Sequence, residues 1–262
     1  MIAFVITLVT SSCYTRTEGC LDLLANNYDV SADDGCETCC VFPSIVIDIT
    51  HEVNGVKYRA DSLLKNDLDQ YYLISDVRFY ISDFELTKLD NSKPTIIEQI
   101  CTSDKTYCPA DDVKLIRATT PQIKIGTVKN YGDFKDFGFF LGLDTNFTNK
   151  TFVGLPNTHP LAKASKLVNA NGAFIDFSFN VSKFKILTDT TRMLEKTDNY
   201  RLSLGGQPIP FAKGQSLTTR KGENINFVLK IDYGSLLQGI NLDSSATYNS
   251  PFVLKNLPNI LE

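Results

Sequence analysis

One stretch constrains the fold of this chain more than any other. Across residues 71–86, Leu73, Val77, Phe79 and Ile81 share one parity, and Asp76, Arg78, Tyr80 and Ser82 share the other. A period of two sets an apolar face against a polar face, which is the signature of a half-buried strand. The run is longer than an ordinary strand. It predicts either a strand pair or one long bent strand. Similar signals recur at 44–50, 122–128, 137–143, 174–179, 200–204 and 224–233, and Asn54-Gly55 marks a tight hairpin turn. Helical signals are few: 160–168, with Pro160 in the first turn, and 189–196, capped by Asp189 or Thr190. Many short strands separated by turns argue for an all-β fold, a β-sandwich-like domain with short helical insertions.

The first forty residues add an address. An uncharged apolar run over 2–9 is too short to span a bilayer and has the length of a signal-peptide core. Thr10-Ser11-Ser12-Cys13 follows it. That pattern resembles a bacterial lipoprotein signal, cleaved before Cys13 and lipidated there. Seven cysteines are present. Assigning Cys13 to lipid leaves an even number, as an oxidising compartment favours. Locality pairs Cys101 with Cys108. Cys20, Cys36, Cys39 and Cys40 then cross-link a polar leader, with three connectivities open. The organisation expected is a signal peptide at 1–12, a lipidated cysteine-rich leader at 13–43 and a β domain at 44–262.

Net charge is −4 and no basic stripe is visible, so a nucleic-acid role is not expected. Lipid at Cys13 is the expected membrane contact. Cys36-Glu37-Thr38-Cys39 has the spacing of a redox or zinc motif, but in an exported chain it reads as part of a disulfide framework. Asp29, Ser31, Asp33, Asp34 and Gly35 resemble part of a calcium loop. The match fails where an EF-hand needs Gly at six and Glu at twelve. The two histidines, His51 and His159, are the candidate metal ligands. No His-Glu-x-x-His pair, Gly-x-Ser-x-Gly elbow or phosphate-binding glycine loop occurs. No catalytic signature is evident, and the chain is expected not to be an enzyme.

The central run, Asp76-Val77-Arg78-Phe79-Tyr80-Ile81-Ser82-Asp83-Phe84-Glu85-Leu86, resembles a motif of the methanobactin-operon copper-binding protein (MbnP-like) family. Phe140-Leu141-Gly142-Leu143-Asp144, His159-Pro160-Leu161-Ala162, Gly172-Ala173-Phe174-Ile175, the stretch 224–232 and Asn256-Leu257-Pro258 follow in the family's order. The leader is similar to that of lipoprotein members of the Bacteroidota type. The resemblance implies an all-β domain on the outer membrane, facing the periplasm or the cell surface. It also implies copper, bound through His and a Trp that a partner di-haem peroxidase oxidises to kynurenine. This chain has no Trp, so that modified ligand cannot form. The expected role is an exported, non-catalytic binding protein, with metal handling through His159 and His51. The alternatives are a surface interaction module without metal and a hydrolase whose site has no sequence signature.

Overall fold

The structure is a computed structural model describing residues 14–36, 38–162, 166–188 and 191–262. The signal segment 1–12, Cys13, Glu37, Asp189 and Thr190 lie outside the described residues.

Nine longer strands carry the domain among the described residues: β1 (Ser44–Val53), β2 (Tyr71–Lys88), β3 (Lys114–Arg117), β4 (Gln122–Thr127), β5 (Gly132–Leu141), β6 (Phe177–Ile186), β7 (Arg192–Leu202), β8 (Ile209–Thr219) and β9 (Ile225–Asp232). In the larger sheet the order is β7-β6-β2-β5-β8, with β3 also paired to β2. In the smaller sheet β1 lies parallel to β9 and antiparallel to β4. Ile45, Ile47 and Ile49 of β1 and Phe227, Leu229 and Ile231 of β9 meet Phe79, Phe137 and Phe179 of the larger sheet in one core. The Phe137 and Phe227 rings approach to 4.6 Å between centroids. This is the expected sandwich, with alternate residues of both sheets facing inward. Asn54 and Gly55 take φ of 52° and 75°, as the turn after β1 requires.

The long central run is one strand, bent by two bulges. Asp76 and Asp83 both sit at φ 51°. Opposite each, the partner strand advances by one residue fewer than β2 does. Aspartate tolerates this left-handed conformation better than most side chains. Each bulge switches the inward parity. Tyr72 and Ile74 face the core before Asp76, Val77, Phe79 and Ile81 after it, and Leu86 after Asp83. Leu73 therefore does not share a face with Val77.

Strands β5 and β6 lie end to end along one edge of β2. Leu141 pairs with Ile81 and Phe177 with Phe79. Between them Tyr80 donates its N–H to Asp176 O and accepts from Gly142 N. The chain between those strands leaves the sheet as a long insertion and folds back over the outer face. Together with the arm around 96–113 it covers Tyr80, which packs with Ile100, Val113, Leu143, Phe147 and Leu161. The parity expected to face solvent is thus buried at mid-strand: Tyr80 and Ser82 are both fully buried.

The expected helix over 189–196 is absent from the described part of that segment. Residues from Arg192 onward form β7, where Met193 pairs with Lys185 and Leu194 with Phe184. A helix of two turns is marginal alone, whereas the hairpin gives every peptide group a cross-strand setting. Within 160–168 the described residues form successive turns, Ala162 N donating to His159 O and Lys166 N to Ala162 O. The α-helices among the described residues are α1 (Thr145–Thr148) and α2 (Ala246–Asn256), the latter capped by the Ser245 hydroxyl, and 3-10 turns lie at Tyr233–Leu237 and Leu257–Ile260.

In the leader, Cys20 joins Cys40 and Cys36 joins Cys39, and in the domain Cys101 joins Cys108. The Lys129 ammonium bonds Asp22 at 3.0 Å and lies over the Phe42 ring, tying leader to sandwich.

Candidate functional site: buried carboxylates on the outer face of the central strand

The second bulge places Asp83 at the covered face of β2. The arm that closes this face is held by the Cys101–Cys108 bridge and by Asp111 N bonding Glu98 O. It delivers Asp112, whose Oδ2 accepts from Phe84 N at 2.8 Å. The Asp112 carboxylate therefore sits over the Asp83–Phe84 peptide. Asp112 is only 4% exposed. Its Oδ1 and the Oδ2 of Asp83 are buried oxygens without a hydrogen-bond partner among the described residues. Buried polar atoms are rarely left unpaired, and each exception calls for a cause.

Electrostatics sharpen the anomaly. Burial pushes Asp112 up to about 7, against the opposing Phe84 N–H, and the Asp83 charge adds to the rise. Burial, then the Asp144 charge, push Asp83 up to about 6. Asp144 caps α1, accepting from Asn146 N and Phe147 N. The Tyr107 phenol is raised by burial and then by Asp144, Asp83 and Asp112. Asp83 and Asp112 thus share a low-dielectric setting, where like charges resist joint ionisation. Lys114 is the cation that pulls Asp112 the other way.

The histidines have different surroundings. His51 Nε2 lies 2.8 Å from Thr120 O, and its Nδ1 lies 2.7 Å from the Tyr233 hydroxyl. A carbonyl can only accept, so Nε2 carries the proton and Nδ1 accepts from Tyr233. Burial lowers the His51 pKa. His159 Nε2 lies 2.9 Å from Asp111 Oδ1, and its Nδ1 accepts from Leu161 N at 3.1 Å. Both rings are buried and engaged at both nitrogens. Copper needs a free imidazole lone pair. With no Trp in the chain and both lone pairs used, the residues present do not fit the copper ligand set that the resemblance implies. His159 instead braces Asp111, the neighbour of Asp112.

The leader carboxylates are likewise occupied. Asp29 Oδ1 accepts from Ser31 N and Oγ, and Asp33 Oδ2 from Thr17 N and the Tyr14 hydroxyl. The sulfurs of Cys36, Cys39 and Cys40 lie within 4.8 Å of one another, and the two leader bridges consume them. Asp83 and Asp144 lie inside quoted motifs without standing out there. Asp112 had no local signal, because only the Cys101–Cys108 arm brings it to β2.

These features define a class: a two-sheet β-sandwich whose central strand is covered on its outer face by two insertions closing over buried carboxylates. The profile of the MbnP family matches residues 43–252, and the chain belongs to that family. Among solved structures it is similar to MbnP from Methylosinus trichosporium, with 13% identity, 74% of this chain and 76% of that chain covered, and a TM-score of 0.42. No curated protein sequence matches it at a significant level.

Proposed function

We propose that this chain is an exported, lipid-anchored, non-catalytic binding protein of the Bacteroidota lipoprotein type. It holds a hard divalent cation at Asp83 and Asp112. The observation that carries this reading is the pair of buried, partnerless carboxylate oxygens. Oxygen-only ligation suits Ca²⁺ or Mg²⁺, with water completing the shell. A cation between the two carboxylates would satisfy both orphan oxygens and return both groups to the ionised state. Asp112 is too buried to meet a substrate carbonyl, which argues against the hydrolase reading even though its pKa lies near neutrality.

The test is metal counting on the mature protein. After exchange into chelator-free buffer, elemental analysis should find about one Ca²⁺ or Mg²⁺ per chain, and Asp112→Asn should lose it. Copper retained stoichiometrically through desalting and lost in His159→Ala would overturn this assignment and restore the family's ligand. A second reading, an interaction module without metal, has one observation in its favour. Leu187, Met193 and Leu194 stand about half exposed at the tip of the β6–β7 hairpin.

A further inference from the structure

A cavity of about 590 Å³ opens beside β3, on the flank of the His159 turn. Its walls carry Arg78, Lys114, Arg117 and Lys166. Arg78 and Arg117 are direct partners across β2 and β3, and both line the same cavity, so two cationic side chains leave one face of the sheet from opposed positions. Like charges placed this way destabilise a sheet unless something lies between them.

The protein supplies little compensation. Arg78 Nη2 donates to Asp76 at 2.8 Å, but its Nε is buried without a partner among the described residues. The Arg117 side chain is exposed and has no carboxylate partner there. Lys114 donates to Asp111 O at 3.0 Å, and its ammonium is 3.9 Å from the Asp111 carboxylate, which His159 already engages. Lys166 Nζ lies 5.7 Å from the Phe174 ring centroid. Four cations therefore converge on one cavity of a chain whose net charge is −4.

We propose that this cavity binds a phosphate group. Guanidinium forks match tetrahedral oxyanions bidentately, and lysines add point charge. The orphaned Nε of Arg78 would gain its acceptor, and the Arg78–Arg117 repulsion would become a clamp. The cavity is larger than one phosphate ion requires, and Leu115, Ile123 and Leu167 form an apolar wall beside the cations. A phosphate monoester therefore fits better than the free ion. Neither Asp83 nor Asp112 lines the cavity, so phosphate binding does not require the cation.

Isothermal titration of the purified protein at low salt tests this, with inorganic phosphate, glucose 6-phosphate and glucuronate as probes. The monoester should bind at least about tenfold more tightly than inorganic phosphate, and Arg117→Ala should weaken both by about tenfold or more. The Arg117 side chain has no ion-pair partner among the described residues, so this variant should keep the wild-type melting temperature in phosphate-free buffer or exceed it. Asp83→Asn, which removes a cation ligand that lines no part of the cavity, should leave phosphate binding unchanged, which separates this outcome from failure of the cation site. Three results would each overturn the proposal: no binding of either phosphate probe up to about 20 mM, equal binding by Arg117→Ala, or tighter binding of glucuronate than of glucose 6-phosphate.

Discussion

Replacing Asp112 by Asn should stabilise the metal-free protein and destabilise the metal-loaded one. Asn is nearly isosteric, and its oxygen can still accept from Phe84 N. What it removes is a charge that the fold resists. The Asp112 pKa rises from 3.8 to about 7 on folding. A raised carboxylate contributes fully at low pH and loses that contribution as pH rises from the unfolded value through the folded one. A rise of about three pKa units corresponds to about 4 kcal/mol at most. Coupling to Asp83 spreads that figure over the pair, so about 2–4 kcal/mol is expected at pH 8. Urea denaturation after chelator treatment measures it. Wild type should weaken between about pH 4 and pH 7, whereas the variant should be flatter there and more stable at pH 8. With millimolar Ca²⁺ the order should reverse, because ligand binding stabilises only the protein that binds it. A metal-free variant less stable than wild type at pH 8 would refute the reasoning, since the ionised carboxylate would then already be compensated by the protein.

Three other variants probe the frame around the site. His51→Ala strands the Tyr233 hydroxyl and the Thr120 carbonyl and should cost about 2–4 kcal/mol in thermal or urea unfolding. The lowered pKa of His51 means its contribution is complete above its unfolded pKa near 6.5 and fades as pH falls through the folded value. Acidification below that point should therefore narrow the stability difference between wild type and His51→Ala. Gly142 has φ of 100°, and a Cβ there would lie 2.7 Å from Leu204 Cδ1 and 3.1 Å from Asp176 Oδ1. Gly142→Ala should cost about 1–3 kcal/mol by the same measurement. Opening the Cys101–Cys108 bridge with paired Ser substitutions should cost about 2–3 kcal/mol. It should also weaken cation binding in a calorimetric titration, because that arm carries Asp112.

Much of the fold was legible because both sheets obey period-two burial wherever the strands are regular. The runs beginning at Ser44, Tyr71, Gln122 and Asn224 correspond to β1, β2, β4 and β9. Misreadings fall where that rule is interrupted. Strand β8 contains Pro210 and Gly214, residues that ordinarily argue against a strand. It nevertheless alternates half-buried and exposed residues along its length. Strand β7 begins in a polar segment, Arg192 to Lys196, whose pattern suits a capped helix until β6 is there to pair with it. Helix α2 is polar and contains Pro251, so no apolar period announced it.

The site was less legible for a related reason. A bulge cannot be seen in hydrophobic parity until the partner strand is known. Asp76 and Asp83 look like ordinary members of the polar face, yet each is the residue that changes which face is which. At Asp76 the switch turns Arg78 and Tyr80 outward together, so that Arg78 meets Arg117 and Tyr80 meets Leu115. At Asp83 it leaves a carboxylate under the covering arm, beside Asp112. The two chemically unusual places of the domain, the basic cavity and the carboxylate pair, thus arise from two copies of one local device on a single strand. The His159 turn lies between them. Its ring bonds Asp111, whose backbone carbonyl holds Lys114 of the cavity and whose neighbour is Asp112 of the pair. His159, one of the two histidines expected as metal ligands, bonds Asp111 here, and its neighbours Thr158 and Pro160 line the cavity. Removing it should disturb both places without itself contributing a ligand to either.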